Sequence, residues 1–348
     1  MADRFTGLDD PRIVRAKEAF DRTGNISEAA RILGTRRASV GRALNFIKKH
    51  EKKDLGSFDV EPLPEELPSA EELVERRKAE YQRKKDFEEA TKLINVRVKI
   101  PGVYGVVHCG DPHLDDAGSD LESVERIIHA VQTAPDGALF AASVGDLQNN
   151  WIGRLSHLFG QQNTTAAEAW VLVEWFINSM PWLYLVGGNH DAWSGAGDPL
   201  KWMMRQRGVY QYHGVRLNLI SPDKRQIRIN ARHDWHQGHS QWNTAHSLVK
   251  GIMMGFRDHI VTAGHRHVSG YQLVKDPSSG LISHAIRVGS FKKYDNYAKE
   301  KGLPNQNISP AVVTIIDPQY ADDDPRLITV FHSVEEGAEF LAWKRRKK

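Results

Sequence analysis

The chain has 348 residues, of which 40% are apolar and 26% charged, with a formal net charge of +3. That length can bury a substantial core and leaves room for a small second domain, while no run of about 18 uncharged apolar residues is present that could span a bilayer. The single cysteine, Cys109, excludes an internal disulfide framework and a thiolate-rich zinc site, so any metal would need histidine and oxygen ligands. The N-terminal stretch MADRFTGLDDPRIVRAKEAF has neither the apolar segment nor the cleavage site of a secretory signal, and the expected setting is cytoplasmic with no membrane partner.

Taken in chain order, the first fifty residues predict three short helices: Pro11 to Arg22, Ile26 to Leu33, and Arg36 to about His50. Gly24 closes the first, Asn25 with Glu28 makes a capping box for the second, and Gly34-Thr35 supplies a turn and an N-cap for the third. This punctuation predicts a helix-turn-helix domain over residues 1–50. Residues 51–95 read as a connection. Its first part, Glu51 to Glu72, is acidic and broken by Pro62, Pro64 and Pro68. A charged helix from Ala70 to Leu93 follows, whose Leu73, Val74, Tyr81 and Phe87 would lean on the next domain.

From residue 96 to 343 short β-rich runs alternate with helical stretches. Strands are expected at Val103 to Cys109, Ala138 to Val144, Trp182 to Val186, Ile227 to Ala231 and Ile260 to Ala263, then at Ile286 to Val288, Val312 to Ile316 and Leu327 to Phe331. Helices fit Asp120 to Gln132, Thr165 to Met180 and His246 to Phe256. The alternation predicts an α/β sandwich with a mixed sheet. Residues 344–348, all basic, read as a tail without fixed structure.

Five polar blocks directly follow expected strands, where layered α/β folds present functional loops. They are Gly110-Asp111-Pro112-His113, Gly145-Asp146 with Asn149, Gly188-Asn189-His190-Asp191, the His233 region, and Gly264-His265-Arg266-His267. Carboxylates, an amide oxygen and imidazoles make a ligand set for hard or borderline divalent ions. One such block is common in turns; five in order, each behind an apolar run, are not. In this order the blocks resemble the calcineurin-like metallophosphoesterase superfamily, whose pattern D-x-H, GD, GNH[DE], H, G-H-x-H is present in full between residues 96 and 331.

The resemblance implies a four-layer α/β/β/α sandwich that binds two divalent cations, Mn²⁺ foremost with Fe²⁺, Zn²⁺, Ni²⁺ and Mg²⁺ as alternatives, and hydrolyses phosphate esters. It implies Asp111, His113 and His267 as ligands of one ion, Asn189, His233 and His265 as ligands of the other, and Asp146 as the bridge. His190 resembles the family's general acid, with Asp191 orienting its ring. Asn149, where many relatives have an aspartate, is expected to orient a neighbour by hydrogen bonds. The fourth block offers His233, His236 and His239; His233, first after its strand, is the expected ligand. The glycines before Asp111, Asp146, Asn189 and His265 are expected to make the sharp turns that aim the ligands inward.

The arginine that follows GD-x-x-D in serine/threonine protein phosphatases is replaced by Asn149-Asn150, which argues against a protein substrate. The GNHD form and the His-Asp-Trp region look similar to DNA-repair exonucleases of the superfamily. In the N-terminal domain Val40, Leu44 and Ile47 share an apolar face, leaving Arg36, Arg37, Ser39 and Arg42 to meet a duplex. Between Asn149 and Thr164, Trp151, Arg154, His157 and Phe159 would suit stacking on bases, whereas Trp170 and Trp175, at helical spacing, are expected in the core. The expected function is therefore a DNA nuclease targeted by its helical domain, a pairing that would suit a phage or mobile element. The alternatives are a phosphatase or phosphodiesterase on nucleotides or other small phosphate compounds, its helices used for protein contacts, and a non-catalytic DNA-binding regulator. A homo-oligomer stays open.

Overall fold

The computed structural model describes residues 5–50, 67–151, 153–191, 198–235, 240 and 242–347, without the side chains of residues 153 and 154. Most of the acidic stretch (51–66), His236, His239 and the Arg154 side chain therefore lie outside the described residues. Two compact units divide the chain, Met1–Arg77 and Lys78–Lys348.

The first unit contains α1 (Pro11–Thr23), α2 (Ile26–Ile32) and α3 (Arg37–His50). Asp10 caps α1 and Pro11 occupies its first turn, where a missing N–H costs nothing. Gly24 ends it in the left-handed conformation, φ 61°, and Asn25 Oδ1 accepts the Ser27 and Glu28 N–H groups to start α2. Ile13, Ala16 and Ala19 pack with Ala29, Ala30, Val40, Ala43 and Ile47; the alanines keep the helices close. Arg36, Arg37 and Arg42 are exposed and Ser39 is half-buried.

Helix α4 (Ala70–Thr91) starts with a reciprocal cap, Ser69 Oγ taking the Glu72 N–H and Glu72 Oε2 the Ser69 N–H. No residue of α4 is buried, and Tyr81 and Phe87 are 70% and 53% exposed. The expectation that these residues lean on a neighbour is thus corrected: charges surround the helix on all sides, leaving no apolar stripe to bury.

Among the described residues of the second unit twelve strands form two six-stranded sheets. One carries β2 (Tyr104–Cys109), β3 (Leu139–Ser143), β4 (Trp182–Gly187) and β5 (Val209–Tyr212) in parallel, and is extended beyond β2 by antiparallel β11 (Ala311–Ile316) and β12 (Ile328–Phe331). The other runs in the order β1 (Ile94–Arg97), β6 (Gly214–Ile220), β7 (Gln226–Arg232), β8 (Ile260–Ala263), β10 (Ile282–Arg287), β9 (Gly270–Lys275). The period-2 alternation of strands sorts side chains into layers. Ile260 and Ile286 enter the large core shared with the first sheet, while Val261, Ala263 and Ala285 lie with Leu248 and Ile252 of α8 (His246–Met254). On the far side α5 (Leu121–Gln132), α6 (Ala166–Asn178) and α10 (Val334–Arg346) cover the first sheet, with Val124, Val173 and Leu341 in its core. The result is the expected four-layer α/β/β/α sandwich. Two short helices, α7 (Pro199–Met203) and α9 (Asn296–Glu300), lie in loops. Among the described residues no helix is long and apolar enough to cross a membrane.

Two expectations change. Residues 344–346 are not a free tail but the last turn of α10, tied down by Lys344 to Asp317 (2.8 Å) and Arg345 to Asp136 (2.7 Å). Trp170 is half-buried against the core, but Trp175 is exposed, because Val173 and Phe176 take the buried face of α6.

Candidate metal centre

The parallel strands β2, β3 and β4 end at one edge of their sheet, as do β7 and β8 of the other, and all five motif blocks sit just beyond these ends. The first two blocks continue the ladder as loops: Asp111 N–H donates to Gly145 O (2.9 Å), His113 N–H to Asp146 O (3.2 Å) and Leu114 N–H to Leu147 O (2.9 Å). In the other sheet Gly264 N–H donates to His233 O (3.1 Å).

The sharp turns fall on the side chains that matter rather than on the glycines before them. Asp111, His113, Asp146, His265 and His267 have φ of 51°, 40°, 55°, 67° and 53°, the left-handed region, which costs about 1 kcal/mol or more at each non-glycine residue. Of the four block glycines only Gly145 is left-handed, φ 105°. Gly264 and Gly188 are required for space, since a Cβ there would overlap the carboxylates of Asp111 and Asp146 respectively.

Two donor sets result: Asp111, His113 and His267, and Asp146, His233 and His265, the ligand atoms of each lying within 4.8 Å of one another. In the first, His113 Nε2 is 3.2 Å from His267 Nε2, which is 3.7 Å from Asp111 Oδ1. In the second, His233 Nε2 is 2.9 Å from Asn189 Oδ1, 3.0 Å from His265 Nδ1 and 3.1 Å from Asp146 Oδ2. Asp146 also acts electrostatically on His113 and His267, which suits a carboxylate shared by both sets.

These donors fit divalent cations on three counts. Asp111 Oδ1 is buried with no hydrogen-bond partner, while Oδ2 accepts the His265 N–H at 2.8 Å, so one oxygen is positioned by the fold and the other left for a ligand. His233 Nδ1 donates to Val144 O at 2.7 Å, which fixes the tautomer and presents Nε2. Asp295 Oδ2 stands 3.6 Å behind His267 Nδ1, the arrangement that makes an imidazole a better donor. Electrostatics agree. Burial opposes charge on His233, yet Asp146 and Asp111 raise it to about 10, and the same attraction would act on a cation. Burial pushes Asp111 up to about 6 against His267 and His233, with Asp146 adding to the rise. His265 is lowered to about 4 by burial and by His233.

The expectation that Asp191 orients the His190 ring is corrected. Its carboxylate is already committed to three backbone donors: Oδ2 accepts Asp146 N–H and Gly188 N–H, both at 2.8 Å, and Oδ1 accepts Leu147 N–H at 3.0 Å. It is a clamp between the second and third blocks. His190 instead donates its own N–H to Asp146 Oδ1 (2.8 Å), and its Nδ1 meets the Asn149 carbonyl. Its ring lies edge-on to His113 at 5.2 Å and to buried Trp151 at 5.4 Å. Asn149 donates its N–H to Asp115 Oδ1 (2.7 Å) and its Nδ2 to Asp116 Oδ2 (2.9 Å). Phe159 and His157 are exposed.

Sequence reasoning missed Asp115, Asp116, Gln162, Lys292 and Asp295. Gln162 Nε2 donates to Asp115 Oδ2 (2.8 Å), and Lys292 Nζ joins Asp116 Oδ2 (2.8 Å) to Asp295 Oδ1 (3.5 Å). The adjacent Asp115-Asp116 pair just after His113 was a readable signal; Lys292 and Asp295 carry no motif. Arg36, Arg37, Ser39 and Arg42 belong to the other compact unit.

No family model matches the chain, and no curated protein matches it. Solved structures similar to it include a conserved uncharacterized protein from Streptococcus pneumoniae TIGR4 described as a predicted phosphoesterase, at 13% identity over 67% of this chain and all of that one, TM-score 0.31. Zinc-complexed Vps29 from Entamoeba histolytica is similar at 12% identity over 65% and 97% of the two chains, TM-score 0.33, and the calcineurin-like phosphoesterase YfkN from Bacillus subtilis at 11% over 71% and 97%, TM-score 0.34. The ordered motif blocks, the paired donor sets they build and the two-sheet sandwich that carries them agree with the resemblance of this region to the calcineurin-like metallophosphoesterase superfamily.

Proposed function

We propose that the protein is a dinuclear metal-dependent phosphodiesterase acting on nucleic acid, as a DNA nuclease directed by its N-terminal helical module. The observation that carries the reading is the pair of three-donor sets, Asp146 standing in the second and acting electrostatically on His113 and His267 of the first, with Asp111 Oδ1 buried and free of any hydrogen bond. Asp111, His113 and His267 would hold one ion, Asn189, His233 and His265 the other, and Asp146 both, Mn²⁺ being the favoured metal. When bound, such ions supply Lewis acidity and water activation.

The protein's own groups do the rest. His190, fixed through its N–H to Asp146 and through Nδ1 to the Asn149 carbonyl, keeps Nε2 for delivering a proton to the departing oxygen. Asn150 Nδ2 donates to the His190 carbonyl (2.9 Å) and holds that loop. Asn189 contributes an oxygen without negative charge, so it does not repel a phosphate. Exposed Arg36, Arg37 and Arg42 on one compact helical module support duplex contact through phosphates.

The test is digestion of labelled single-stranded and duplex DNA with Mn²⁺, beside bis-p-nitrophenyl phosphate, for the wild type and Asp146→Ala. DNA cleavage lost in the variant upholds the proposal. Cleavage of the small ester alone moves the activity to nucleotides or other small phosphate compounds, with the helices serving protein contacts. No cleavage of either, with DNA binding untouched by the substitution, would leave a DNA-binding regulator.

A further inference from the structure

Beside the metal centre lies a cavity of about 240 Å³ whose lining includes Trp151, Gln161, Gln162, Lys292, Tyr294 and Tyr297. Its inner wall is continuous with the groups just described. Lys292 Nζ sits 5.1 Å from the centre of the Trp151 ring and 2.8 Å from Asp116 Oδ2, which accepts from the Asn149 side chain. The edge-on contact of Trp151 with His190 puts only one ring between the cavity and the group assigned to protonate the leaving oxygen.

Size and chemistry narrow the occupant. Small-molecule sites usually occupy about 300–1,000 Å³, so this smaller space admits one ring system and its sugar rather than a stacked pair. Tyr294 and Tyr297 are 72% and 39% exposed, large aromatic faces at the rim, and Gln161 brings an amide to the same wall. Aromatic faces with amide edges are the means by which proteins hold an unstacked base. Lys292 of the lining already faces two carboxylates, Asp116 and Asp295. Its charge is thereby matched and does not invite a second phosphate, which favours a neutral ring.

We infer that this cavity takes the nucleobase on the leaving side of the scissile phosphodiester, unpaired and unstacked. The inference rests on the phosphodiesterase reading above and adds a substrate requirement to it: a base that is free to enter, at a single-stranded end or on a small nucleotide ester.

Two measurements test it separately from the activity itself. The first compares kcat/KM with Mn²⁺ for a dinucleotide and for its analogue whose leaving nucleoside is abasic. The wild type should prefer the base-bearing ester on the order of ten- to a hundred-fold. Tyr294→Ala/Tyr297→Ala should bring that preference to about threefold or less without slowing the abasic ester, and Tyr294→Phe/Tyr297→Phe should keep it. The second measures calorimetric binding of free nucleosides, which should be lost in the double alanine variant. A wild type that cleaves both esters equally, or an alanine variant that retains the preference, overturns the inference. Tyrosine-dependent nucleoside binding without any ester cleavage would uphold the cavity and sink the phosphodiesterase reading; neither binding nor cleavage sinks both. A preference confined to the dinucleotide identifies a small free substrate, and one seen also on single-stranded oligonucleotides identifies a strand end.

Discussion

Asp191→Asn separates two roles that a carboxylate beside His190 could have. In the structure it is 1% exposed and accepts three backbone N–H groups, from Asp146, Gly188 and Leu147. Asparagine offers one carbonyl oxygen. Placed where Oδ2 is, it keeps the two 2.8 Å bonds and turns its NH₂ towards the Leu147 N–H, donor against donor. A charge-assisted bond contributes about 1.5–3 kcal/mol, and a buried N–H left without a partner costs about 1–3 kcal/mol. Against this stands relief from a charge that burial and Asp146 already disfavour, pushing the Asp191 pKa up to about 6. The net expectation is a loss of about 2–4 kcal/mol.

Urea denaturation of chelator-treated protein should show this as a lower midpoint at unchanged slope. Because the clamp fixes Asp146, metal affinity should also fall about 10- to 100-fold in a calorimetric titration. The reasoning is refuted if stability changes by less than about 0.5 kcal/mol and metal affinity is kept while one limb of the pH–rate profile moves. Asp191 would then act on the His190 proton.

Other consequences follow from the same geometry. Asp295→Ala removes the carboxylate behind His267 and should weaken metal binding about tenfold or more, measurable by competition with a chromophoric chelator. Mn²⁺ at about 100 times its Kd should add about 2.7 kcal/mol per site, raising Tm by several degrees, an increment that EDTA abolishes. His108 is buried between Tyr184 OH (2.9 Å) and Thr314 Oγ1 (3.0 Å), and burial lowers it to about 3. Its folded pKa lies below the unfolded value near 6.5, so the unfolded chain binds the extra proton between about pH 3 and 6.5, and stability rises with pH across that window and is lost as the pH is lowered through it. His108→Gln should reduce the slope there by up to about 1.4 kcal/mol per pH unit in chelator-treated protein. Arg36→Ala and Arg37→Ala should each flatten the salt dependence of DNA affinity by about one counterion, whereas unchanged slopes would show that this face of the module meets no phosphate.

The metal blocks were legible because ligand chemistry restricts residue type and the fold restricts place: donors at strand ends, in order, read through any background. The same holds for β2, β4 and β8, all-buried strands that read as apolar runs. Strand β6 did not read, because its polar residues are satisfied in ways that sequence does not display. Arg216 pairs with buried Asp258 at 2.7 Å, and Asn218 Nδ2 donates to Asn95 Oδ1 and Gln226 Oε1. Edge strand β9 alternates between exposed and half-buried positions and lacks a buried face to betray it. Helix α10 did not read as a helix, and its basic end looks disordered until Asp317 and Asp136 are brought to it. The support for His267 was hidden for the same reason, since Asp295 comes from a loop with no motif.

The left-handed ligands and the two buried clamps belong to one design. A loop that turns through φ near +55° at a ligand cannot keep every rung of its ladder, and the N–H and C=O groups that lose theirs must find other partners or remain costly orphans. On the first sheet those needing partners are N–H groups, and the group supplied is acceptor-only Asp191. On the second the need includes a carbonyl, and the group supplied is donor-only Arg287, 3% exposed, which donates to Gly264 O (2.7 Å), Thr244 O (2.9 Å) and Ser247 Oγ (2.6 Å) with Asp234 at 3.5 Å. Each clamp binds backbone on the far side of a ligand and leaves the ligand's own donor atom unspent. The candidate metal centre is thereby held in part by hydrogen bonds to its backbone, and Asp111 Oδ1 stays buried without a hydrogen bond.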